Sequence, residues 1–182
     1  MIMPARSSLF AALVLGSVMA GCRSRAGADG AGASDTAAST TTVPSTALAV
    51  RLERQPCYGR CPEYTVEVFF DGRVRYVGNK NVQVLGEQSA NIAVADVSAL
   101  LKLFADAGFA TADSAYVEGS PRCGRYFTDG PHAVIGAHLG NTFKSVHIDA
   151  GCSERPQYFS TLAAQVDSVT RAHLWVNGET NK

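Results

Sequence analysis

The sequence predicts an α+β domain made of two β-hairpin-plus-helix halves in the order ββαββα, with an antiparallel sheet and both helices packed on one face. Three observations carry this. Apolar residues alternate strictly on both sides of two turn signals, and an apolar stripe at helical spacing follows each hairpin. The chain has 182 residues, of which 46% are hydrophobic and 18% charged, which are globular proportions. Lys+Arg and Asp+Glu both number 16, so the formal net charge is zero and nucleic acid is not expected as a partner.

Taken in order, Leu48, Val50 and Leu52 alternate with Ala49, Arg51 and Glu53 and predict an opening strand. Tyr64, Val66 and Val68 then face Val74 and Tyr76 across Asp71-Gly72. A two-residue loop there would set Val68 opposite Arg75 and bury a charge. A three-residue loop, Phe70 to Gly72 with Gly72 left-handed, sets Val68 opposite Val74 and Val66 opposite Tyr76, and this register is expected. Val82 and Val84 predict a third strand ending near Gly86. Val97, Leu100, Leu101 and Phe104 make the stripe of a first helix, with Gly108 as its left-handed stop.

The stretch from Thr111 to Pro131 shows no period and is expected to be irregular. His132 to Leu139 and Thr142 to Ile148 form a second hairpin across Gly140-Asn141, with Ile135 opposite Val146 and Ala133 opposite Ile148. In that register His132 lies opposite Asp149 and diagonal to His147 on the face away from the core, and His138 lies beside Phe143. Phe159, Leu162, Val166 and Val169 stripe a second helix, with Pro156 in its first turn, where a missing N–H costs little. Trp175 is expected to pack, and His173 to sit at the C-terminal end of that helix, where the dipole favours a cation.

Ahead of the domain, residues 1–21 have the form of a secretory signal peptide: Arg6 is the only charge, and Leu9 to Gly21 is an uncharged run of 13 residues. That is well short of the roughly 20 residues a bilayer-spanning helix needs. Met19-Ala20-Gly21-Cys22 resembles the bacterial lipobox, whose Cys is acylated and becomes the new N-terminus. Several acyl chains on Cys22 suffice for stable anchoring, so the membrane is a partner through that lipid. Arg23 in place of Asp points to the outer membrane, facing the periplasm. Residues 22–46 combine the lipidated Cys with an Ala/Gly/Ser/Thr-rich tether in which Val43 is the one large aliphatic. The 24 residues after Cys22 would span about 27 Å as a flexible coil. Residues 47–182 are left for a single folded domain.

Within that domain, Cys57-Tyr58-Gly59-Arg60-Cys61-Pro62-Glu63-Tyr64, then Asp71-Gly72 followed by Val74, Tyr76 and Gly78, then the Val97/Leu100/Phe104 helix, and finally Thr128-Asp129-Gly130-Pro131 before a hairpin, resemble the bacterial family known as domain of unknown function number 6438. The likeness runs from about Leu48 to Val169. It implies secreted or lipid-anchored proteins with an α+β domain, and it carries over no activity, cofactor or catalytic residue.

Four cysteines besides Cys22 lie in the domain, an even number for an oxidising compartment, so disulfides are the default. Of the three possible pairings the expected one is Cys57 with Cys61 and Cys123 with Cys152. Two alternatives stand beside it. Cys57-x-x-x-Cys61-Pro62 also resembles the motif of copper chaperones of the cytochrome-oxidase-assembly type, and His132, His138 or His147 could then add a third ligand; a thiol-redox role is the other, and a four-Cys zinc site falls with the metal readings. In the copper proteins the motif leads into a helix, whereas here a hairpin is predicted, and only Arg60 is at hand to lower a thiol pKa. His132, His147 and Asp149 form a further low-ranked metal or pH-sensing group, with solvated strand histidines as the plainer reading.

No nucleophile elbow, zinc-protease, Walker or dinucleotide motif occurs. The expectation is therefore a binding or accessory module of the cell envelope, with no cofactor, more a non-enzyme than an enzyme. Its candidate contact loop is Cys57 to Pro62, where Tyr58 and Arg60 are residue types enriched at interfaces, and its partner is another envelope protein or the cell wall.

Overall fold

β1 (Leu48–Arg54) occupies the middle of the sheet, because its buried Val50 and Leu52 face the core with a strand needed on either side. It pairs antiparallel with β2 (Glu63–Phe69) and with β6 (His132–Leu139), so that Leu52 lies between Val66 and Ile135. The structure, a computed structural model, describes residues 43–178; the expected signal peptide (1–21), Cys22 and most of the expected tether (22–46) lie outside those residues.

β2 pairs with β3 (Arg73–Lys80) in the expected bulged register, Val68 opposite Val74 and Val66 opposite Tyr76. Gly72 has φ 87°, and a Cβ there would run into the Ile92 carbonyl, so this turn requires glycine twice over. The third strand is displaced from its expected place. β4 (Gly86–Asn91) begins where a strand over Val82 and Val84 was to end. Residues 81–84 form bends instead, and the Gln83 and Val84 N–H groups donate to the Val176 and Trp175 carbonyls, both at 2.9 Å. Two alternating valines do not commit a segment to the ladder when another element satisfies its backbone.

The second hairpin, β6 with β7 (Thr142–Asp149), has the expected pairs, Ile135 with Val146 and Ala133 with Ile148. The stretch from Thr111 to Pro131 is not wholly irregular. β5 (Ala115–Tyr116) lies parallel to β7, with Ala115 opposite His147 and Tyr116 opposite Ile148. The sheet order is β4-β3-β2-β1-β6-β7-β5, one mixed sheet of seven strands. This corrects the antiparallel sheet, and the ββαββα halves are not seen: β1 fuses the two hairpins into one sheet. A two-residue parallel strand carries no period from which it could be inferred.

α1 (Val94–Asp106) buries Val97, Leu100 and Phe104, and Gly108 follows with φ 71°. A single 3₁₀ turn (Phe109–Thr111) then buries Phe109. α2 (Tyr158–Thr170) buries Phe159, Leu162, Ala163 and Val166. His173 does not trail α2 but opens a short α3 (His173–Val176). Phe104, Phe109, Phe159 and Tyr116 meet edge to face at centroid separations of 5.0, 6.1 and 5.0 Å, the geometry that ring quadrupoles favour. α2 crosses the strands from Tyr116 to the side of β2, where Asp167 reaches Tyr64, and Trp175 of α3 stacks on Tyr76 of β3 at 4.9 Å. The opposite face of the sheet carries a charge ladder, with Arg75 between Glu67 (3.1 Å) and Glu87 (2.8 Å). No helix among the described residues is long and apolar enough to cross a membrane.

Candidate functional site at the disulfide end of the sheet

Strand direction gathers the functionally suggestive residues at one end. β1 ends there at Arg54, β2 starts at Glu63, β6 starts at His132 and β7 ends at Asp149. The chain enters β1 at Leu48, at the other end, beside Phe70, whose N–H donates to the Ala47 carbonyl (3.1 Å). At about 3.4 Å per residue the length of β1 separates the two ends by about 20 Å.

The loop from Gln55 to Pro62 is held at three points. The Gln55 N–H donates to the His132 carbonyl (2.9 Å), the Asn81 side chain donates to the Cys61 carbonyl (2.9 Å), and Cys57 and Cys61 are disulfide-bonded with Cα atoms 5.8 Å apart. Between them Tyr58 is 85% exposed, the most exposed large hydrophobic side chain of the described residues, and Arg60 is exposed beside it.

Cys123 and Cys152 are likewise bonded, with Cα atoms 4.4 Å apart, and both are buried. Backbone bonds run alongside: Phe127 N–H to the Gly151 carbonyl (2.9 Å), Ser153 N–H to that of Arg125 (3.0 Å) and Glu154 N–H to that of Cys123 (3.1 Å). Residues 123–127 thus lie against 151–154, a pairing set by the cross-link and not by any alternation.

Beneath this cap sits Asp149. It lies opposite His132 as the register requires, but it is not on a solvated face: it is 1% exposed. Its Oδ1 accepts the Gly151 N–H at 2.7 Å. Its Oδ2 makes no hydrogen bond and faces His132 Nε2 at 3.4 Å. Gly130 and Gly151 pack so closely that a Cβ on Gly130 would come within 2.7 Å of the Gly151 nitrogen. His147 stands opposite Val134 and is exposed, and His138 lies opposite Phe143 with its ring edge-on to Phe70 at 5.4 Å. Among the described residues no three His, Cys, Asp or Glu side chains are grouped to hold a metal ion. The candidate ligands Cys57, Cys61, His132 and His147 therefore do not converge, and the His132, His147, Asp149 group reduces to the His132–Asp149 pair.

A second polar cluster was not foreseen. Asp167 of α2 accepts from Arg54 (2.7 Å) and from the Tyr64 hydroxyl (2.7 Å), tying the helix to β1 and β2. Burial, reinforced by the Asp167 carboxylate, pushes the Tyr64 phenol well above its ordinary pKa. The one sequence signal was a carboxylate next to Val166 in an otherwise apolar stripe, which gives no partner.

These features define a class: a two-layer α+β domain, one mixed sheet covered by helices on a single face, with two disulfide-held loops over one end. The chain belongs to the family described as Domain of unknown function (DUF6438), whose model matches residues 48–170. No curated protein matches it.

Proposed function

We propose that this protein is lipid-anchored through Cys22 in the bacterial cell envelope, on the periplasmic side of the outer membrane, and acts there as a binding or accessory module whose contact surface is the Cys57–Cys61 loop. The observation that carries the reading is Tyr58, a large aromatic 85% exposed on a loop pinned by a disulfide and two hydrogen bonds. A pinned loop has little left to lose in entropy when a partner closes over it, and Tyr and Arg are the residue types that most often dominate interface energetics. The geometry supports the same orientation: the tether side of the domain is the Leu48 end, and the loop lies at the opposite end.

Two experiments test this. A photo-crosslinking residue at position 58, introduced in living cells, is expected to yield discrete adducts that disappear with Arg60→Ala, while the same residue at Ser89 on the bare sheet face yields none. Identical adduct patterns at both positions would reject the loop. Labelled palmitate is expected in the wild-type protein and absent from Cys22→Ser; labelling that survives the substitution would reject the anchor. Thiol counting on the same cells addresses the redox and copper alternative, which predicts that Cys57 and Cys61 are reduced at mild potential or metal-loaded.

A further inference from the structure

A groove of about 400 Å³ runs between the end of β4, the start of α1, the end of α2 and α3. Ile92, Val169, Leu174 and Trp175 line it, and each is half-buried, so none of these four apolar side chains is closed off by the core. Trp175, the only tryptophan of the chain, stacks on Tyr76 beneath and keeps part of its surface in the groove.

Two charges of opposite sign belong to the same lining, Asp96 in the first turn of α1 and Arg171 at the C-terminal cap of α2. Both are exposed, no other charged side chain lines the groove, and among the described residues neither forms an ion pair. An unpaired carboxylate and an unpaired guanidinium on two helices beside an open apolar lining are the complement of a molecule with an ammonium at one end, a carboxylate at the other and an aliphatic group attached. Arg171 carries a second sign. Its φ is 56°, the left-handed conformation that ends a helix and that glycine adopts without a Cβ penalty. An arginine there sets a guanidinium in the groove at a backbone strain that glycine would avoid.

We propose that this groove binds a short zwitterionic peptide, a dipeptide with an aliphatic C-terminal residue, its ammonium on Asp96, its carboxylate on Arg171 and its side chain on Ile92, Val169, Leu174 and Trp175. The volume admits about thirteen water-sized groups, and glycyl-leucine is of that size. This site is separate from the Cys57–Pro62 loop and does not depend on the loop's role.

The test is a titration of the full-length protein in neutral detergent at constant ionic strength, read by the fluorescence of Trp175. The probes are glycyl-leucine, its N-acetyl form, its C-terminal amide and glycyl-glycine. Glycyl-leucine is expected to give a saturable change, and each capped form, having lost one charge, to bind at least about tenfold more weakly. Glycyl-glycine, without the aliphatic group, is also expected to bind at least about tenfold more weakly. Arg171→Gly suits the backbone at that position and so keeps the fold; it is expected to weaken glycyl-leucine about tenfold and to leave the amide unchanged. Asp96→Asn is expected to weaken glycyl-leucine likewise and to leave the N-acetyl form unchanged, and Arg171→Gly decides the matter if Asp96→Asn does not fold. A change that never saturates, equal affinity for the free and the capped peptides, or full affinity for glycyl-leucine in folded Arg171→Gly or Asp96→Asn would each overturn the proposal.

Discussion

Replacing Cys123 and Cys152 together by alanine should destabilise the protein more than replacing Cys57 and Cys61, and the structure sets the ratio. The two bridges close loops of very different size, with sequence separations of 29 and 4. In the chain-entropy account the longer bridge contributes about 3.6 kcal/mol at 25 °C and the shorter about 2. For a domain of this size that corresponds to a fall in Tm of about 10–15 °C against about 6–8 °C. Burial widens the gap, because Cys123 and Cys152 are each 2% exposed and alanine leaves voids there, whereas Cys57 and Cys61 are half-buried. The assay is urea unfolding of the oxidised wild type and both double variants, followed by far-UV circular dichroism, with the slopes compared so that a change in midpoint reports stability. If the Cys57/Cys61 variant loses as much as the Cys123/Cys152 variant, or if neither moves, the loop-closure argument fails. The milder variant has a second use: it stays folded, so any loss of Tyr58 adducts in it reports the constraint on the loop itself.

Three further outcomes follow from single groups. Asp149→Ala strands the Gly151 N–H and removes the partner of His132; it should cost about 2–3 kcal/mol in urea unfolding, and Asp149→Asn, which keeps an acceptor, about half as much. Tyr76 is held by burial at a pKa of about 12, and Tyr64 is displaced in the same direction. Their folded-state values lie above the unfolded one, so their contribution is fully present below about pH 10 and is lost as the pH rises toward 12; in absorbance titration at constant temperature, two of the six tyrosines should ionise only as the chain unfolds. Arg75→Ala removes two ion pairs, to Glu67 and Glu87, yet should shift stability by no more than about 0.5 kcal/mol, because the pairs lie on the exposed face; a larger loss, insensitive to salt, would show that the charge ladder organises the sheet.

The parts of this fold legible in the sequence are those where a period repeats long enough to exclude the alternative. The β2–β3 register followed from one requirement, that Arg75 not be buried opposite Val68, and β6–β7 followed from Gly140-Asn141 together with paired apolar rows. The stripes of α1 and α2 spanned two turns and could be nothing else. What was not legible depends on contacts across the chain. β5 is two residues long, and the bends at Gln83 and Val84 are held by carbonyls about ninety residues away. The candidate site divides the same way. The cysteine pairs, Tyr58 and Arg60 are local features of composition. The burial of Asp149 and the meeting of Arg54, Tyr64 and Asp167 require that the sheet and α2 already be in place, since residues 103 and 113 positions apart cannot be associated from spacing.

The position of the two bridges argues for where function lies. The hydrophobic core contains no residue between Leu52 and Tyr64, nor between Tyr116 and Ile135. Apart from the bridged Cys123, those segments therefore gain little from apolar burial, while fixing each of their backbones opposes folding by about 1–2 kcal/mol per residue. Left to the core alone they would be mobile. Each bridge anchors one of them, Cys57–Cys61 within the first and Cys123–Cys152 from the second to the end of β7. Both bridges lie at the end of the sheet away from Leu48, and none lies by the Phe70–Gly72 or Gly140–Asn141 turns at the Leu48 end. Order is supplied there beyond what the core requires, which is why we place recognition at that end and not on the charge-laddered face of the sheet.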